Sequence, residues 1–144
     1  MKKIYMLLCR MAAAGCLVLL LAAIAGCASG DLEIRQDFPF VVKVMPVPQA
    51  LGLGERIEIR LVIEPERNFG ETRYFIRYFQ YEGAGSLQYY DEPAYLPNDL
   101  YPLQERNFRL YYTSASSVKQ SFRIWISDTF GNERELEFEF SNSG

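Results

Sequence analysis

RIEIRLVIE, residues 56–64, sets Ile57, Ile59, Leu61 and Ile63 against Arg56, Glu58, Arg60 and Glu64, with Val62 alone breaking the polar set. Successive side chains of a strand point to opposite faces, so this alternation gives one extended segment an apolar face and a charged face. On a helix the same two sets would scatter around the circumference and bury charge at every turn. The segment therefore predicts a β-strand, one face on a core and the other toward water.

The period of two continues on both sides. FPFVVKVM (38–45) places Phe38, Phe40, Val42 and Val44 together, with Pro39 near its start, where an edge strand tolerates it. TRYFIRYFQ (72–80) alternates Tyr74, Ile76 and Tyr78 with Phe75, Arg77 and Phe79. Aromatics on both faces predict a central strand whose outer face is partly covered. A short strand begins near Leu87, and NFRLYYT (107–113), SFRIWIS (121–127) and RELEFEF (134–140) supply three more. Their inward sets are Phe108, Leu110 and Tyr112; Phe122, Ile124 and Ile126; and Leu136, Phe138 and Phe140. PVPQALGLGE (46–55), the glycines of EGAGS (82–86) and DTFGN (128–132) read as turns. No amphipathic helix follows residue 27. The expected fold is all-β, an immunoglobulin-like antiparallel β-sandwich of about seven strands over residues 38–144.

The segment before it reads differently. Lys2, Lys3 and Arg10 precede an uncharged apolar run, Met11 to Ala25, and LAAIAGCASGD (21–31) follows with small residues around Cys27. A positive start, an apolar stretch and a small-residue exit define a secretory signal peptide. The Ile-Ala-Gly-Cys ending resembles the lipobox of bacterial lipoproteins, which implies a signal peptide over 1–26 and a diacylglyceryl group on Cys27. Cys9 and Cys16 lie inside that signal, so the processed chain keeps one cysteine and no internal disulfide. Residues 27–37 then form the lipidated cysteine and a flexible tether. The expected location is a membrane-anchored lipoprotein of the cell envelope, periplasmic or outer-membrane, held through its acyl chains.

Composition removes several chemistries. From Cys27 onward twelve basic residues face eighteen acidic ones, a net charge of −6, with no basic run, so direct nucleic-acid binding is not expected. The chain has no histidine, which excludes Ser-His-Asp and Cys-His nucleophile activation and the imidazole ligands of most zinc sites. EGAGS lacks the Lys-Ser or Lys-Thr of a phosphate loop and opens no helix. Asp91, Glu92 and Asp99 in DEPAYLPND (91–99) lack the regular spacing of a calcium loop. Glu133, Glu135, Glu137 and Glu139 stripe the last strand; with no aromatic cleft around them, they read as a solvated face that discourages pairing with other chains rather than as hydrolase carboxylates. No catalytic residue, metal, cofactor or small-molecule substrate is expected.

The residues left over point to recognition. Arg77, Phe79, Arg109, Tyr111, Arg123 and Trp125 fall on faces opposite the inferred core. Arginine and aromatic side chains dominate the energetic centres of protein interfaces, and they also finish sheet surfaces when arginine stems lie over rings. An alternative role, a surface adhesin or glycan-binding module, would use Tyr89, Tyr90 and Tyr95 as a stacking platform.

LPNDLYPLQERNFRLYYTSAS (96–116), MKKIY at the start, FPFVVKVMPVP (38–48), ETRYFIRYFQ (71–80) and the SDTFGN turn (127–132) resemble the TraQ conjugal-transfer family of Bacteroides-type conjugative transposons. The resemblance spans essentially the whole chain. It implies a non-catalytic envelope lipoprotein with one immunoglobulin-like domain, acting beside other conjugation-apparatus proteins. It supplies no functional-residue motif.

Overall fold

The computed structural model describes residues 39–144. Phe38, Cys27, the expected signal peptide and the expected tether lie outside them. The described residues form nine strands and no helix: β1 (Phe40–Val44), β2 (Ala50–Leu51), β3 (Arg56–Pro65), β4 (Tyr74–Glu82), β5 (Gly85–Tyr89), β6 (Leu100–Leu103), β7 (Asn107–Ser114), β8 (Gln120–Asp128) and β9 (Glu133–Asn142). One sheet has the order β1-β3-β7-β5, the other β2-β9-β8-β4-β6.

Both sheets turn their apolar sets toward one shared core. Ile59, Leu61 and Ile63 of β3, Phe108, Leu110 and Tyr112 of β7, and Phe122, Ile124 and Ile126 of β8 are buried. Rings join the two layers. Tyr112 stacks on Phe122 at 4.5 Å between centroids and lies 5.9 Å from Phe140, while Phe40 meets Tyr74 edge-on at 5.2 Å. Each such pair adds roughly 0.5–1.5 kcal/mol beyond the area it buries. Burial also pushes the Tyr78 and Tyr95 hydroxyls well above their ordinary range, because a phenolate there would lose its water.

The strand count exceeds the expected seven because two short strands carry no periodic signal. β2 lies inside the Pro- and Gly-rich stretch expected to be only a turn, and it pairs parallel to β9, with Ala50 opposite Ser141 and Leu51 opposite Asn142. The sheet is thus mixed rather than wholly antiparallel. β6 pairs with β4 from Leu100 opposite Arg77 to Leu103 opposite Tyr74. Pro102 suits such an edge position. The central placement expected for β4 holds, since it runs between β8 and β6 with Phe75, Arg77 and Phe79 half-buried on the outer face.

Polar groups in the core are paired. The Tyr112 hydroxyl donates to Gln120 Oε1 (2.8 Å) and accepts from Gln80 Nε2 (2.9 Å); Tyr78 donates to Gln80 Oε1 (2.6 Å) and Gln120 Nε2 to Ser114 Oγ (2.7 Å). This cluster fixes two glycines. A Cβ on Gly85 would sit 2.2 Å from the Tyr112 hydroxyl oxygen. Gly83 turns the chain between β4 and β5 with φ +71°, and a Cβ there would meet the Lys119 carbonyl at 2.9 Å.

Gly85→Ala is expected to cost roughly 1–3 kcal/mol of unfolding free energy by displacing the Tyr112 ring. Exposed Ser86→Ala, one residue on, should stay within about 0.5 kcal/mol in the same urea titration.

Candidate functional site

The six Arg and aromatic residues do not form one surface. Arg77 and Phe79 on β4 and Arg123 and Trp125 on β8 share the outer face of the five-stranded sheet, whereas Arg109 and Tyr111 on β7 belong to the four-stranded sheet. Period-two reading assigns each residue to the outside of its own strand. Only strand order decides which outsides coincide.

On the five-stranded sheet, register places Arg77 opposite Trp125 and Phe79 opposite Arg123. The Arg77 guanidinium carbon lies 4.2 Å from the Trp125 ring centroid, and that of Arg123 lies 4.7 Å from the Tyr81 ring. Tyr81 continues the outward set of β4; its ring is 4.9 Å from Phe79, and 52% of the residue is exposed. β9 completes the surface. Trp125 Nε1 donates to Glu135 Oε2 (2.9 Å), while Arg123 pairs with Glu135 and Glu137 at 3.4 Å each. The acidic stripe is thus more than a solvated face, because its middle members hold the β8 side chains. Burial works against the Arg123 charge, but the Glu137 and Glu135 carboxylates prevail and hold its pKa above the ordinary arginine value. The Arg123 Nε group makes no hydrogen bond, since its 3.4 Å approach to Glu135 is poorly aligned.

The four-stranded sheet gathers its charge around Glu58. That carboxylate accepts from Arg60 Nε, from the Tyr111 hydroxyl (3.1 Å) and from Arg109 Nη1 (3.5 Å). Arg56 covers the Tyr111 ring at 4.4 Å, and Lys43 pairs with Glu64 at 2.8 Å. Arg109 and Tyr111 are thereby engaged within their own sheet. Sequence reading missed Tyr81 and the Glu135–Glu137 pair. Tyr81 was within reach as the next odd-numbered residue after Phe75, Arg77 and Phe79, whereas the role of the two acids needed the β8–β9 register.

The tyrosines of the glycan alternative do not make a platform. Tyr89 and Tyr95 are only 8% and 7% exposed and belong to the core, and Tyr90 is packed against it at φ 44°. EGAGS is the connection from β4 into β5. Among the described residues, no group of three or more His, Cys, Asp or Glu side chains is placed to hold a metal ion.

The Glu58 cluster predicts an acid-sensitive contribution to stability. The Arg60 hydrogen bond, opposed by partial desolvation and aided by Tyr111 and Arg109, keeps Glu58 below its usual pKa of 4.5. A depressed folded-state pKa stabilises the fold above the unfolded value, and that contribution is lost as pH falls through the folded one. Thermal midpoints of the wild-type chain and Glu58→Gln should therefore differ at pH 6 and converge as pH drops below about 4.5.

Comparison with known proteins places this architecture. No curated protein matches the chain. A conjugative transposon lipoprotein from Bacteroides eggerthii is 46% identical, with a TM-score of 0.69 over 74% of this chain and 100% of that one. A lipoprotein from Bacteroides thetaiotaomicron is 48% identical, with a TM-score of 0.69 over 80% and 88% of the two chains. A conjugate transposon protein from Bacteroides vulgatus is 43% identical, with a TM-score of 0.66 over 78% and 91%. The sequence profile described as TraQ conjugal transfer protein matches residues 10–143, so the chain belongs to the TraQ conjugal transfer family.

Proposed function

We propose that this chain is a non-catalytic, lipid-anchored envelope component of a conjugative transposon's transfer apparatus, and that it binds another protein of that apparatus through the outer face of its five-stranded sheet. Family membership and relatives named as conjugative transposon lipoproteins support the setting. The lipobox-like ending at Cys27 supports an acyl anchor, with residues 1–26 as signal peptide, 27–37 as lipidated cysteine and tether, and 38–144 as the working domain. The absence of histidine and the acidic balance favour protein contacts over hydrolysis or nucleic-acid binding. An immunoglobulin-like description of the domain is supported by strand order. β1-β3-β7-β5 follows the ABED sheet and β9-β8-β4 the GFC sheet, with β2 and β6 added at the margins.

The observation that carries the binding surface is Arg77. It lies over Trp125 with no carboxylate within ion-pair distance among the described residues, beside the half-exposed Tyr81. Most cations of the opposite outer face already hold a carboxylate. An arginine resting over a ring loses little freedom on binding, and its donors remain available to a partner's acceptors.

Arg77→Ala with Tyr81→Ala should leave the unfolding midpoint nearly unchanged and reduce transfer frequency at least tenfold at normal protein abundance, in keeping with the ~2 kcal/mol scale of interface hot spots. Wild-type transfer from that variant would remove the surface from the account, and wild-type transfer after gene deletion would remove the apparatus role. Cys27→Ser should abolish metabolic labelling by palmitate and release the chain from the membrane fraction. Retention with full labelling would contradict the anchor.

A further inference from the structure

The described domain carries eleven basic residues against fifteen acidic ones. Eight of the eleven are spoken for within the domain. Lys43, Arg60, Arg109, Lys119 and Arg123 hold carboxylates; Arg56 and Arg77 lie on rings; Arg134 donates to the carbonyls of Phe40 and Glu133. The remaining three, Arg67, Arg73 and Arg106, line one cleft of about 680 Å³. Among the described residues none of the three has an ion-pair partner, and Arg106 donates only to the neutral Asn68 Oδ1 at 2.7 Å. Glu105 is the one carboxylate in the lining.

Two loops line this cleft, and a third supports them. Residues 66–73 join β3 to β4, 104–106 join β6 to β7, and the β8–β9 turn packs against the first of these. Asp128 shapes that turn by accepting the backbone N–H groups of Phe130 and Asn132 at 2.9 Å each. Thr129 N then donates to the Arg73 carbonyl at 3.1 Å, and Phe130 meets Phe69 edge-on at 5.7 Å. Phe69, Tyr74 and Leu103 give the lining apolar and aromatic surface. Concavity, apolar walls and a few converging charges are the features of a ligand site rather than of a charged rim.

We propose that this cleft is a second recognition site, separate from the Arg77 face, that takes an acidic peptide segment of a partner protein and seats an apolar side chain beside its carboxylates. Guanidinium forks match carboxylates in shape and charge, and three such groups without carboxylates of their own offer that match in a domain whose other cations already sit against carboxylates, rings or carbonyls. A flat anionic membrane fits less well. Glu66, Glu71 and Glu105 are exposed on the same loops as the arginines, so a broad negative surface would meet both signs, whereas a narrow segment entering the cleft meets mostly cations.

The test is fluorescence polarisation of the folded domain against labelled seven-residue peptides drawn from Asp, Glu, Phe, Leu and Gly, with Lys replacing the acids as a control and phosphatidylglycerol vesicles as a third arm. Saturable binding of acidic peptides that contain Phe or Leu is expected, weakened about tenfold or more by Arg67→Glu with Arg73→Glu, weakened by added salt, and weakened less when both positions are Lys, which keep the charge but not the fork. Both arginines are exposed, and among the described residues neither side chain makes a hydrogen bond, ion pair or ring contact, so the variants should keep the wild-type unfolding midpoint. Three outcomes would each overturn the proposal: no acidic peptide bound, binding indifferent to the two arginines, or binding to vesicles alone. Arg77→Ala should leave peptide affinity unchanged, which separates this cleft from the outer-face surface.

Discussion

The stacked contact of Tyr112 on Phe122, at 4.5 Å, joins the inner strand of one sheet to the inner strand of the other. Much of the interior is arranged about it. Phe138 stacks on Phe122 at 5.0 Å from the neighbouring strand, and Tyr78 approaches the same ring edge-on at 5.6 Å. The Tyr112 hydroxyl must find partners because a buried phenol without hydrogen bonds is costly, and Gln80 and Gln120 provide them from the opposite sheet. The contact also explains why β5 begins with glycine, since any side chain at position 85 would occupy the place of that hydroxyl.

Once the rings are committed to the interior, the strand period dictates what the outer faces hold. Every second residue of β4, β8 and β9 is turned outward, and register then lays arginine against tryptophan and glutamate against arginine. The two outer faces settle their charge differently. Around Glu58 the cations converge on one carboxylate, a local network that finishes the four-stranded sheet. Around Trp125 the carboxylates serve Arg123 and the indole N–H, and Arg77 rests on the ring alone. The same bookkeeping across the domain isolates the cleft arginines. Placement of charge, rather than total charge, separates surface already paired within the fold from surface left for a partner.

Much of this was legible from residue order. The long strands β3, β4, β7, β8 and β9 have periodic inward sets, and those sets are buried apart from the half-buried Ile57 and Leu136. β2 and β6 were not legible, because two and four residues beside prolines carry no period and depend on neighbours distant in the chain. The outward residues were identified one by one, but whether Arg109 shared a surface with Arg123 depended on sheet membership, which a strand's own pattern does not encode. The tyrosines offered for glycan stacking illustrate the same limit. Tyr89 and Tyr95 sit in a stretch rich in loop residues, yet tertiary packing draws both into the core. The cleft arginines lie on two connections more than thirty residues apart with no shared motif, so only the folded chain brings Arg106 to Arg67 and Arg73.

Specific ring contacts, rather than unspecific apolar burial alone, hold the two sheets together. A double-mutant cycle on Tyr112→Leu and Phe122→Leu, read from urea unfolding of the folded domain, addresses that directly. A coupling of about 0.5–1.5 kcal/mol between the two sites is expected. Strict additivity, within about 0.3 kcal/mol, would contradict it.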